Sequence, residues 1–145
     1  MPATPHIPLS QDAALVVALA GTAMPFAHSA EDEAERWLRV LRIHGRVGTA
    51  LQALGVGEAP LTGETEREAG GTPPHGPEIL DEVTRRATEF AAGREADRVG
   101  TPDLLFAAFE VYGKLFDRAL YLRGTSREEL VERLSEAGSA QASRE

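Results

Sequence analysis

The residues with the most chemistry to offer are carboxylates gathered in one short run, Glu31, Asp32, Glu33 and Glu35, with Arg36 directly after them. Paired carboxylates can divide acid and base work, and a single carboxylate can meet a guanidinium with two parallel hydrogen bonds. The same acids in a first helical turn complement the helix dipole on a solvated face, and that is the reading their position favours. Two further groups stand at helix starts. Ser10 offers a hydroxyl with free backbone amides behind it, and Asp12 lies two residues on. Thr101-Pro102-Asp103 combines a capping hydroxyl, a proline suited to a first helical position and an acid suited to the positive end.

Other chemistry is missing from the sequence. His6, His28, His44 and His75 have no helical ligand spacing, so no shared metal is expected. There is no cysteine, which removes disulfides, thiol catalysis and cysteine-based zinc sites. No glycine-rich phosphate loop of Walker type is present, and no serine sits in a nucleophile elbow. The expectation is a protein without a cofactor and without enzymatic activity.

The elements that hold these groups follow from periodicity. Met1 to Leu9 carries three prolines and reads as an irregular arm. Ser10 caps a helix through Val16, Val17, Leu19, Ala20 and Ala23 that ends near Pro25. Ser29, with Asp32 three residues on, opens a second helix whose buried side is Trp37, Leu38, Val40 and Leu41. His44-Gly45 breaks the pattern. A short helix from Val47 to Leu54 follows, with Gly55 as the residue that ends it. Gly57 to Gly76 is poor in apolar side chains and reads as linker, with a short helix allowed at Thr62 to Ala69. Pro77 opens a helix striped with Ile79, Leu80, Val83, Ala87, Phe90 and Ala91. The Thr101 helix carries Leu104, Leu105, Ala108 and Phe109, and a third runs from Leu115 to Leu122 and stops at Gly124. Ser126 and Glu129 make a capping box for a last helix with Leu130, Val131 and Leu134, and a frayed tail is expected from Ala137.

The 145 residues suit one domain, and 42% apolar content is enough to build a core. A net charge of −8 opposes a nucleic-acid or anionic-membrane partner. The longest apolar run, Ala13 to Ala20, is far short of the roughly twenty residues of a membrane span. No Lys or Arg precedes that run, which argues against a signal peptide and leaves a cytoplasmic location as the expectation.

The two halves match when laid over each other. Val16, Ala20 and Met24 fall on Val83, Ala87 and Ala91, and Trp37-Leu38 falls on Leu104-Leu105. After a two-residue offset near Gly45, Ala50-Leu51 falls on Ala119-Leu120 and Gly55 on Gly124. The expected fold is all-α, built from two similar helical units.

From about Leu9 to Leu134 the chain resembles the Clp N domain, the repeat domain at the N-terminus of Clp/Hsp100 unfoldases. The most specific pieces are Ala50-Leu51-Gln52-Ala53-Leu54-Gly55-Val56 and Val99-Gly100-Thr101 with Leu104-Leu105. The resemblance implies two tandem four-helix repeats related by a pseudo-twofold, an eight-helix bundle. The first repeat would span about residues 10–69, the linker 63–76 and the second repeat 77–136. It also implies recognition of substrates, adaptors or degradation tags.

In ClpC-type relatives, phosphorylated arginine is held at two equivalent sites by a Thr and a Glu at helix starts. Carried over, the first site has Ser10 for the Thr and Glu35 for the Glu, with Arg36 beside it and Asp12 where the family has Arg. The second has Pro77 and Pro102, with Thr101 retained and Asp103 in place of a His. A first-half site is therefore the one expected to work, and its acids favour plain arginine or a cationic peptide over a phosphorylated one.

Three functions fit this pattern. The leading one is a peptide- or adaptor-binding module that regulates or competes in Clp-dependent proteolysis. The second is a sequestering protein for a peptide antibiotic that targets the unfoldase; relatives that bind cyclic peptides carry a Phe where Gly76 stands here. The third is a dimerisation module with a decayed site.

Overall fold

The computed structural model describes residues 7–56, 73–76 and 78–140. They form seven α-helices: α1 (Gln11–Ala23), α2 (Ala30–Leu41), α3 (Gly45–Ala53), α4 (Ile79–Gly93), α5 (Thr101–Tyr112), α6 (Lys114–Leu122) and α7 (Arg127–Ala140). A 3-10 turn, Met24–Phe26, extends α1. Among the described residues there is no strand, only an isolated parallel bridge between Leu9 and Val99. The helical fold class is as the sequence implies.

The caps explain most of the boundaries. The Ser10 hydroxyl accepts from the Ala13 amide at 3.1 Å, and the Ser29 hydroxyl from the Asp32 amide at 3.1 Å. Ser126 accepts from the Glu129 amide at 3.1 Å. Each hydroxyl satisfies an amide that the first turn leaves without a partner. The helix α3 ends with the Val56 amide on the Leu51 carbonyl and Gly55 at φ +83°. The helix α6 ends the same way, with the Thr125 amide on the Leu120 carbonyl and Gly124 at φ +83°. Glycine reaches this left-handed conformation without a Cβ clash.

The helix α5 lies at the centre. Leu104, Leu105, Ala107 and Ala108 are fully buried, and the helix packs against α1, α2, α3, α4 and α6. The second helix of each half meets the third helix of the other: α2 lies on α6, and α5 on α3. Trp37, Phe116, Leu38, Leu41, Leu51 and Leu120 fill the space between.

Several expectations need correction. Gly100, not Thr101, is the cap of α5. Thr101 is its first residue, Pro102 its second, and Asp103 its third, reaching back to the Gly100 amide at 2.9 Å. Proline is accommodated there because second-position amides have no helical partner either. The acids of α2 are not on a solvated face: Asp32 is 3%, Glu33 1% and Glu35 6% exposed. Asp32 is held locally, by the His28 amide and Arg36, while Glu33 and Glu35 are met by donors from elsewhere in the fold, a long-range fact that helical periodicity does not carry. The end of the arm joins the fold, with Leu9 partly buried against the core. The last helix runs to Ala140, past Ala137 where the tail was expected to begin. The linker helix expected at 62–69 and the helix start at Pro77 lie outside the described residues, as do residues 1–6 and 141–145.

Candidate functional site

The structure regroups the six residues singled out from sequence. No described hydrogen bond or ion pair joins Ser10 to Glu35. Ser10 lies beside the start of α5, its amide donating to the Val99 carbonyl at 2.8 Å, while the Val99 amide donates to the Pro8 carbonyl at 2.8 Å. Ser10 thus shares a neighbourhood with Thr101 and Asp103. Thr101 is fully buried, and its hydroxyl accepts from the Val47 amide at 3.4 Å, tying α5 to α3. Asp103 is 1% exposed, and Arg94 meets both of its oxygens with two hydrogen bonds. With the Gly100 amide, these structural partners engage both of its oxygens. Asp12 is half-buried in the first turn of α1.

Glu35 and Arg36 project from the first half of α2. Arg36 donates from Nε to Asp32 at 3.2 Å and from a terminal nitrogen to the Ala23 carbonyl at 3.2 Å. That bond ties the end of α1 to α2. Glu35 meets Arg123, the residue that caps α6, through contacts of 2.8 and 3.2 Å. The side chains are 8% and 13% exposed, so this pair is nearly dry. Burial raises the Glu35 carboxyl above its ordinary value, and Arg123 pulls it partly back. The guanidinium that sequence reasoning assigns to a ligand is supplied here by the chain itself. The helix starts differ: Pro102 is the second residue of α5, whereas Glu35, its counterpart in the sequence overlay, is the sixth of α2.

A second polar cluster was not visible in the sequence. Glu33, one turn into α2, accepts from the His75 amide at 3.0 Å and the Gly76 amide at 3.4 Å. His75 Nδ1 lies 2.7 Å from its other oxygen, and the Tyr112 hydroxyl donates to that oxygen at 3.3 Å. Trp37 Nε1 donates to the Tyr112 oxygen at 3.0 Å. Burial, and then the Glu33 charge, push the Tyr112 phenol upward, so it stays a donor. The partners are separated by 42, 79 and 75 positions, and no local signal links them.

Large apolar side chains remain exposed around α2. Phe26 is 69% exposed in the turn that leads into it, and Tyr121 and Leu122 are 76% and 59% exposed at the end of α6. An open depression of about 140 Å³ between α3 and α7 is lined by Leu54, Glu129, Glu132 and Arg133, and holds none of the six. Among the described residues, no three His, Asp or Glu side chains gather so as to hold a metal ion. None of the described helices is long and apolar enough to cross a membrane. Set against known protein families and against curated proteins, the sequence matches none.

Proposed function

We propose that this chain is a non-enzymatic peptide- or adaptor-binding module of the Clp N type, two tandem four-helix repeats acting in Clp-dependent proteolysis. The halves support the repeat reading. Their first three helices come in the same order, with 13, 12 and 9 residues against 15, 12 and 9. Both third helices end in the same bonded glycine turn.

The binding reading rests on one observation, the Glu35–Arg123 pair. A nearly dry bidentate pair sits on α2, with the exposed Phe26 turn leading into that helix and exposed Tyr121 and Leu122 next to Arg123. Interface anchors combine these features: an arginine pair shielded from water, with aromatic and aliphatic surface at hand. A basic peptide segment with a neighbouring apolar residue fits it. Its arginine takes the carboxylate fork by displacing Arg123, so the intramolecular pair competes with the ligand.

The test is a titration with a fluorescent arginine-rich peptide. Glu35→Ala should weaken binding by about 1.5–3 kcal/mol, the range for a hydrogen bond to a charged group. Arg123→Gln removes the competitor and should tighten it, with folding checked by circular dichroism. Equal affinity in the native chain and both variants would overturn the assignment.

A further inference from the structure

We infer that Glu33 and His75 form a proton-operated latch that clips the segment entering α4 onto α2. The latch joins three parts of the chain. Glu33 comes from α2, His75 and Gly76 precede α4, and Tyr112 is the last residue of α5. Glu33 is 1% exposed on its side chain, and the His75 ring is 36% exposed. The ring stands edge-on to Tyr112, with centroids 5.1 Å apart. His75 is therefore the member that solvent protons reach directly.

An ionised carboxylate only accepts, so the short contact requires the proton on His75 Nδ1. Glu33 then receives four donors: two amides, one ring nitrogen and one phenol. The protonation states differ in what they hold. With Glu33 ionised and His75 neutral, all four bonds form. With Glu33 ionised and His75 protonated, the same bonds form and an ion pair is added. With both protonated, the carboxyl gains a hydrogen that clashes with the surrounding donors, and the imidazolium loses its counter-charge. The latch should tighten as the first proton arrives and open as the second does.

Other nearby charges are already engaged. On α2, Asp32 is bound to Arg36, and Glu35 to Arg123 of α6. Glu31 lies on the same turn and keeps its own interaction. Tyr112 faces Glu33 from α5 and remains protonated. Opening the latch frees residues 73–76 from α2 and uncovers the Glu33–Tyr112–Trp37 chain.

The experiment measures amide protection at His75 and Gly76 by hydrogen exchange in the full chain across a pH series, each rate taken relative to an unstructured peptide. Trp37, the one tryptophan, gives a parallel fluorescence readout. In the native chain, protection should rise and then fall by roughly tenfold or more as pH is lowered, while α5 amides stay protected. His75→Gln should lose the rise and keep the fall. Glu33→Gln should show low protection at both amides at every pH. Flat native protection across the series would overturn the proposal. So would a Glu33→Gln profile that matches the native one, or a His75→Gln profile that still rises. Should Glu33→Gln fail to fold, the native and His75→Gln profiles decide alone.

Discussion

Glu35 is a residue whose sequence position and structural position tell different stories. Its neighbours in sequence suggest a solvated helix face; in the fold it is nearly dry and bound to Arg123. Removing one partner of a buried pair leaves the other charge without compensation. Arg123→Ala should therefore destabilise the fold by about 3 kcal/mol at neutral pH. The loss should shrink as pH falls, because the abandoned carboxyl can take up a proton. Urea unfolding at two pH values checks both parts. The native Glu35 adds a slope of its own. Its carboxyl is raised in the fold, so its contribution is complete below the ordinary carboxylate value. That contribution is lost as pH rises through the raised value. Glu35→Gln cannot ionise, so it should remove this slope from the stability profile. Tyr112→Phe, which strips an acceptor from Trp37 and a donor from Glu33, should cost about 1–3 kcal/mol in the same assay.

At the scale of elements, helix ends were the most legible feature. Ser10, Ser29 and Ser126 all cap as their sequence positions imply, because a cap is a local bond over three residues. Gly55 and Gly124 end their helices for an equally local reason. The start of α5 was misplaced by one residue because Thr and Gly both serve as caps, and Asp103 chose between them by reaching back to Gly100. The helix α4 ends differently, with Glu95 rather than glycine in the left-handed region at φ 57°. A side chain there costs roughly 1–2 kcal/mol. Glu95→Gly should therefore stabilise the protein, and Gly124→Ala should destabilise it by a similar amount. Opposite shifts in thermal midpoint are the expected result.

At the scale of the whole molecule, an all-α fold with a central Thr101 helix could be read from periodicity, because buried faces recur every three to four residues. The candidate site could not be read in the same way. The resemblance to Clp N domains groups Ser10 with Glu35, while the bonds that hold them in the fold run from Ser10 to Val99 and from Glu35 to Arg123. Crossing contacts between the halves decide which polar groups meet. They depend on how α2 lies on α6 and α5 on α3, which no single stretch encodes. His75, outside every helix, reaches Glu33 across 42 positions of sequence.

The central claim is that the chain binds a basic peptide segment on α2, in competition with its own Arg123. Chemical-shift mapping of the full chain during titration with an arginine-rich peptide tests it most directly. The account predicts shifts clustered at Glu35, Arg123, Phe26 and Tyr121 that weaken with added salt, with Asp103 and Arg94 unmoved. Shifts centred on Asp103, or none at saturating peptide, would contradict it.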